Sequence, residues 1–276
     1  MRVAVLDVPY DCGHFDRRMG SGPLALLRSG LLAELETDGV DVRAEPVRLP
    51  EGFHTEWDAL VSLQHQIAGL VRAASERGER ALILSGNCGP AALGAIGALG
   101  GDRTAVVWCD AHGDFNTPES SPSGFLDGMA LATAAGRCWS AATRRLEMPT
   151  VVSDDSITLV GARDLDAAEA EQIAASGITR VAPGGTDDLI RGLERLPATA
   201  AHLYLHVDMD VVDADEVRAN QFAAPGGLGL DELLAMIAAI GRVRWIAAAS
   251  LTALDPWWDP RSTAAARRVA RALALA

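Results

Sequence analysis

Positive charge is scarce in this chain. Its 24 arginines, with no lysine, face 37 aspartates and glutamates, giving a formal net charge of −13 and a sequence pI near 4.8. A surface of that sign repels phosphate backbones and anionic bilayers, so neither nucleic acid nor membrane is an expected partner. Cysteine is also sparse: Cys12, Cys88, Cys109 and Cys138 have no paired framework spacing, which excludes a disulfide scaffold. No apolar run approaches the roughly 18–20 residues that span a bilayer. The apolar opening, Met1 to Val8, is too short for a secretory signal and leads straight into polar residues. Linkers, repeats and low-complexity tracts are missing as well. The expectation is one cytoplasmic domain over residues 1–276, with 49% hydrophobic residues supplying a substantial core.

What the chain does have is acid in a pattern. The run Trp108-Cys109-Asp110-Ala111-His112-Gly113-Asp114-Phe115-Asn116-Thr117-Pro118 places three polar side chains two residues apart after the apolar stretch Thr104 to Trp108. A second pair, Asp208 and Asp210, follows the apolar stretch Leu203 to Val207. Strand side chains alternate faces with period two, so each set is expected to converge where its strand ends. Four converging carboxylates would repel and raise one another's pKa values. A divalent cation removes that conflict, and an Asp/His set suits Mn, Fe or Zn.

Short β-branched runs alternate with Ala/Leu-rich stretches along the whole sequence. Strands are expected at Val3–Val8, Val40–Val47, Ala81–Ser85, Thr104–Asp110, Ser156–Val160, Ile178–Val181, Leu203–Asp208 and Val243–Ala248. Helices are expected at Pro23–Leu35, Trp57–Arg77, Pro90–Leu99, Asp166–Ser176, Thr186–Arg195, Leu230–Ile240 and Ser262–Leu273. This order predicts a parallel α/β sheet covered on both faces. Ligands of such sheets bind beyond the carboxyl ends of the strands, where both aspartate clusters fall.

Several motifs, taken in order, resemble the arginase/ureohydrolase family. They are Met19-Gly20-Ser21-Gly22-Pro23, Ser85-Gly86-Asn87-Cys88-Gly89, Asp110-Ala111-His112-Gly113-Asp114-Phe115-Asn116-Thr117-Pro118 and Ser123-Gly124-Phe125-Leu126-Asp127-Gly128. Arg163-Asp164-Leu165-Asp166, His206-Val207-Asp208-Met209-Asp210 and Ala253-Leu254-Asp255-Pro256 complete the series. The resemblance covers nearly the whole chain. It implies a single-domain three-layer α/β/α fold with a mainly parallel eight-stranded sheet, and a homo-oligomer, trimeric or hexameric. It also implies two Mn ions held by Cys88, Asp110, His112, Asp114, Asp208 and Asp210, with Asp110 and Asp208 shared. His112 and Asp210 would complete one site, Cys88 and Asp114 the other. The family has histidine where Cys88 stands, an exchange similar to that in N-hydroxyarginine hydrolases of the family. Thiolate is a softer ligand, which weakens this position for Mn and favours Zn or Fe.

By the same resemblance, hydroxide activated by the metals attacks the sp² carbon of a guanidine, with Asp114 orienting it or accepting its proton. Asn116 and Ser123 would contact the substrate carboxylate, and Asp164 and Asp166 would lie near its α-amino group. Three positions depart from the family: Ala253 replaces the guanidinium-binding glutamate, Asp127 a proton-shuttling histidine, and Phe125 a substrate-contacting asparagine. Asp127 is a candidate proton donor in the histidine's place. The implied activity is hydrolysis of a linear C–N bond in a small guanidine, N-hydroxyguanidine, amidine or related modified amino acid, and not ordinary arginase activity.

Other readings stay open at this stage. Asp110, His112, Asp114, Asp208 and Asp210 could be turn and cap residues, Cys88 a small buried hydrophobe and Asp127 a helix cap. Asn116 could simply hold its Asn-Thr-Pro turn, and Arg163 to Asp166 could be an ion pair plus cap. The chain could also be a mononuclear deacetylase-like amide hydrolase using Asp110, His112 and Asp210, or a non-catalytic paralogue. His206 is a candidate support for a metal ligand, and Trp257 and Trp258 are expected to border the site.

Overall fold

A computed structural model describes residues 1–276 apart from 50, 142, 147, 149, 197 and 198. Ten strands occur among the described residues: β1 (Arg2–Val8), β2 (Tyr10–Asp11), β3 (His14–Phe15), β4 (Asp41–Pro46), β5 (Arg80–Ser85), β6 (Thr104–Cys109), β7 (Ile157–Val160), β8 (Thr179–Val181), β9 (His202–Asp208) and β10 (Ile246–Thr252). The helices are α1 (Gly22–Arg28), α2 (Leu31–Thr37), α3 (Glu56–Glu76), α4 (Cys88–Leu99), α5 (Ala130–Ala134), α6 (Ala167–Ala174), α7 (Thr186–Glu194), α8 (Leu230–Val243) and α9 (Ser262–Leu275). No helix among them is long and apolar enough to cross a membrane.

Eight strands form one sheet in the order β4-β1-β5-β10-β9-β6-β7-β8, and every pairing in it is parallel. The sheet is the eight-stranded one implied by the sequence. Because both faces are covered, its central strands β5 and β6 are buried at every residue and apolar between their polar ends, Arg80, Ser85 and Thr104. Alternate side chains feed two cores. Val3, Val5, Leu82, Leu84 and Val107 pack with residues of α1, α2, α7, α8 and α9. Ala4, Leu6, Ile83, Val106 and Trp108 pack with residues of α3, α4 and α5. A fully buried Leu or Val contributes about 1.5–3 kcal/mol, so two such layers outweigh any single surface contact.

Local departures from the expected elements have visible causes. The stretch Pro23–Leu35 is two helices, because Gly30 takes a left-handed φ of 92° between them. The last strand starts at Ile246, not Val243, because the α8 pattern continues through Arg242 and Val243. The short α5 carries little periodicity to announce it. The pair Tyr10–Asp11 and His14–Phe15 makes a small antiparallel hairpin that a sequence pattern of two-residue strands cannot reveal.

Two backbones meet closely beside the β5 terminus. A Cβ on Gly86 would overlap the Tyr10 carbonyl oxygen and lie 2.6 Å from the Gly20 Cα. Backbone cannot yield there as a side-chain tip can. Gly86→Ala is therefore expected to destabilise the protein by about 1–3 kcal/mol. Gly192 sits in α7 with nothing within 4 Å of its missing Cβ, so Gly192→Ala should be neutral or stabilising by up to about 1 kcal/mol. Denaturant melts of both variants check the contrast. Equal behaviour would contradict the close approach at Gly86.

Candidate metal centre

The strands β5, β10, β9, β6 and β7 are consecutive neighbours in the sheet, and each ends beside one cavity of about 260 Å³. The aspartate clusters gather there by turns, which corrects the expectation of simple strand alternation. Strand β6 stops at Cys109, and Asp114 reaches the cavity with a left-handed φ of 47°. Gly113 permits that bend, since a Cβ there would come within 2.6 Å of Glu169 Oε1. After β9, Asp208 N-caps a 3-10 turn over Met209–Val211, its Oδ1 accepting from Asp210 N at 2.8 Å.

The carboxylates of Asp110, Asp208 and Asp210 are tethered by donors. Asp110 Oδ1 accepts from His112 N at 2.7 Å, and its Oδ2 from Trp108 Nε1 at 3.0 Å. Asp210 Oδ1 accepts from Ala111 N at 3.2 Å, which ties the two clusters together. His112 Nδ1 then lies 3.3 Å from Asp110 Oδ1 and 3.4 Å from Asp210 Oδ2. Ligand atoms of Asp110, His112 and Asp210 all fall within 4.8 Å of one another, and so do those of Cys88, Asp110 and His206. Cys88 Sγ donates to Asp208 Oδ2 at 3.3 Å and lies 3.2 Å from Thr252 Oγ1.

The electrostatics are those of an acid cluster in which His112 offsets only part of the negative charge. Burial, then the charges of Asp210 and Asp110, hold the Asp208 carboxyl well above its ordinary range. Asp114 is raised by burial and by Asp110, Asp127, Glu169 and Asp210, and Asp110 by burial and Asp210. Burial opposes protonation of His112, yet the Asp110 hydrogen bond and the charges of Asp210, Asp110 and Asp164 lift it to about 10. The Cys88 thiol is pushed far up by burial and by Asp208, Asp127, Asp114 and Asp110. Oxygen and imidazole donors converging under partly compensated negative charge fit a divalent cation.

The cavity is lined by Cys88, His112, Asp114, Asn116, Ser123, Asp127, Asp164, Asp166, Asp208 and Asp210, with Asp110 just beneath it. Asn116 Nδ2 donates to Asp166 Oδ2 at 3.0 Å, and its Oδ1 accepts from Ser120 Oγ at 2.8 Å. Asp164 is two-thirds exposed, 4.0 Å from His112 Nε2. Asp127 is placed differently from a free proton donor. Its Oδ2 accepts from Asn87 Nδ2 and Cys88 N, both at 2.9 Å, and its Oδ1 from Gly89 N at 2.7 Å. It thus caps the first turn of α4 from outside, because Asn87, the cap residue itself, spends its Oδ1 on Cys12 N at 2.8 Å. Burial pushes Asp127 up to about 7 against these three donors.

Four further residues line the cavity without having been read from the sequence: Ser121, Glu169, Asn220 and Phe222. Glu169 accepts from Phe115 N at 2.8 Å, and the spacing Asp166-x-x-Glu169 is a capping-box signal that could have revealed it. Asn220 donates to the Ala253 carbonyl at 2.8 Å and lies 3.4 Å from Asp210 Oδ2; no motif marks it. Phe222 packs near Phe125 and edge-on to His112. The expected border residues Trp257 and Trp258 do not line the cavity, and Trp257 is 87% exposed. The apolar wall is built by Phe125, Phe222 and Ala253 instead. His206 is fully buried, stacked on Trp108 and 2.8 Å from Ser250 Oγ through Nδ1.

The Arginase family model matches residues 1–276. The chain belongs to the arginase family. It is 29% identical to an arginase of Bacillus caldovelox over 97% of this chain and 95% of that protein. The solved structure of Bacillus caldovelox arginase superposes with a TM-score of 0.85 at 26% identity, covering 99% of this chain and 97% of that one. The proclavaminate amidino hydrolase of Streptomyces clavuligerus shares the fold at a TM-score of 0.72 and 20% identity, over 99% and 90% of the two chains. This family membership makes the chain a hydrolase of C–N bonds, in a family that typically works with two metal ions.

Like charge at the centre sets a thermodynamic test. Mn²⁺ at about 100 times its Kd should stabilise the folded protein by about 2.7 kcal/mol. Asp208→Asn should lose most of that gain, yet melt no lower than the native chain without metal, because Oδ1 still caps Asp210 N while one negative charge is gone. Thermal melts with and without Mn²⁺ check both parts, and an equal metal response in the variant would contradict the assignment.

Proposed function

We propose that this arginase-family protein is a Mn-dependent hydrolase of a linear C–N bond in a small guanidine, N-hydroxyguanidine, amidine or related modified amino acid, and not an ordinary arginase. The observation that supports the reading is the gathering of Asp110, His112 and Asp210, with Cys88, Asp114 and Asp208 beside them, at one cavity beyond adjacent strand ends. Asp110, His112, Asp208 and Asp210 would hold one ion; Cys88 and Asp114, sharing Asp110 and Asp208, would hold the second. When bound, the cations supply Lewis acidity and lower the pKa of water at the site to near neutrality.

The chain's own residues do the rest. Asp114 takes a proton from the attacking water and steers it, its raised pKa suiting it to proton transfer. Asn116 and Ser123 hold the polar end of the substrate, and Asp164 and Asp166 face its amino group. Asn116 and Asp166 are already hydrogen-bonded, so the two recognition elements are set relative to each other. Asp127 holds the Cys88 turn through its three accepted hydrogen bonds; carrying a proton would cost one of them. The leaving nitrogen therefore draws its proton from water, or from Asp127 at that expense. Ala253 supplies no carboxylate at the reacting end, and Phe125, with Phe222 packed near it, puts an apolar wall where the family's asparagine would contact the amino-acid end. A homo-oligomer in the cytoplasm is part of the same proposal by family likeness.

The trio Asp110, His112 and Asp210 also suits a mononuclear amide hydrolase. Metal analysis of purified protein separates the two readings: two equivalents of Mn support the first, one of Zn the second. Mn-loaded protein screened against guanidino, amidino, N-hydroxyguanidino and acylamino compounds should turn over at least one, and Asp208→Ala should lose both metal and turnover. Full activity and stoichiometric metal in that variant would overturn the assignment. Urea release from arginine is expected below about one per cent of a true arginase rate, since a buried cation left unpaired costs several kcal/mol and each 1.4 is tenfold.

A further inference from the structure

Arg163 is a cation whose partners are backbone carbonyls. Its Nη2 donates to Asp210 O at 2.9 Å, Ala224 O at 2.7 Å and Val212 O at 3.4 Å. Its Nη1 donates to Gly161 O at 3.1 Å and Val211 O at 3.4 Å, and its Nε to Pro225 O at 3.0 Å. Among the described residues no carboxylate forms an ion pair with it. The backbone of Arg163 is anchored in turn, its N–H donating to Ala111 O at 2.8 Å. One guanidinium thus joins the end of β7, the turn carrying Asp210, and the segment that brings Asn220 and Phe222 to the cavity, while the Arg163 backbone ties the same point to the chain just past β6.

That segment, residues 213–229, contains no helix or strand of its own, so it needs pinning to keep one conformation. The packing around the guanidinium is tight enough that a Cβ on Gly227 would lie 2.6 Å from Nη2. A planar fork of five N–H groups can serve several carbonyls in different directions, which an ammonium on a flexible stem cannot do.

We infer that Arg163 is a positioning residue, setting the Asp210 carboxylate and the Asn220–Phe222 segment for metal and substrate. The inference rests on the metal-hydrolase reading for its effect on metal, but its effect on the loop stands alone. It acts through the Asp210 backbone and touches neither metal nor substrate. Outer contacts of this kind typically change metal affinity by about 10–100-fold.

The test compares native protein with Arg163→Lys and Arg163→Ala, folded state being checked by circular dichroism. Amide hydrogen exchange without metal reads the loop, and titration calorimetry with Mn²⁺ alone reads the site. We expect exchange over residues 213–226 to accelerate about tenfold or more in both variants, with the α3 and α4 amides unchanged. Mn²⁺ affinity should fall about tenfold or more even in Arg163→Lys, which keeps the charge. Low-millimolar guanidinium should restore affinity in Arg163→Ala and leave Arg163→Lys unaltered. Should Arg163→Ala fail to fold, Arg163→Lys carries both readouts. Loop exchange like the native protein's, or Mn²⁺ affinity within twofold of it while only the melting temperature falls, overturns the inference. A native protein that binds no metal sinks the parent reading, and the exchange pattern still decides this one.

Discussion

Repulsion among carboxylates that the fold forces together governs this molecule. Asp110, Asp208 and Asp210 are all within 5% of full burial, at the ends of neighbouring parallel strands. Burying a charge without a partner is costly, and burying several side by side compounds the cost. The chain pays part of it with backbone donors: the N–H groups of Ala111, His112 and Asp210 each go to one of these carboxylates. Those bonds fix orientation but carry no full positive charge. The sheet and its two cores must therefore supply enough stability to hold a strained centre in readiness for cations. This is the usual bargain of a preorganised site.

Much of this was legible beforehand because the signals were of two strong kinds. Short apolar or β-branched runs pointed to the eight sheet strands, the last of them read as Val243–Ala248 where the strand is Ile246–Thr252, and acidic residues just past two of them marked the carboxylates that gather at the cavity. What escaped was set by geometry that one-dimensional spacing does not encode. The spacing Asp110, His112, Asp114 invites a strand reading, whereas the chain turns after Cys109 and uses a left-handed Asp114. Asn220 was invisible because its role comes from folding a long loop back onto Ala253 and Asp210. The two tryptophans near Ala253 misled for a converse reason. Closeness in sequence placed them by the site, but the chain turns after Asp255, and they lie exposed outside the cavity lining.

The cavity's lining is polar in an uneven way. Among the described residues no arginine lines it, while the segment from Asp164 to Glu169 brings three carboxylates not used in the proposed ligand set. Neutral donors, Asn116 and Ser123, stand nearby. Phe125, Phe222 and Ala253 provide the apolar remainder. Such an arrangement favours a ligand with a cationic end toward the acidic segment and a less charged group at the reacting end. Ala253 keeps a left-handed φ of 58° at the end of β10, with N–H and C=O bonded to Gly86 and Asn220. These two bonds hold the unusual backbone in place, with a side chain that contributes no polar group.

With the proposed ligand set, Cys88 makes the two halves of the centre unlike. Its position is held strongly: Asp127 grips the N–H of Cys88 itself, and α4 begins there. Its chemistry is held weakly, because a thiol beside Asp208 and Thr252 keeps its proton under burial and four neighbouring negative charges. To ligate, it must lose that proton, and only an incoming cation strong toward thiolate can displace it. The half built from Asp110, His112 and Asp210 demands no such exchange at a thiol. Occupancy should accordingly be stepwise, with the aspartate–histidine half filled first. That first cation would also lower the electrostatic cost of ionising Cys88, so filling one half prepares the other through charge alone.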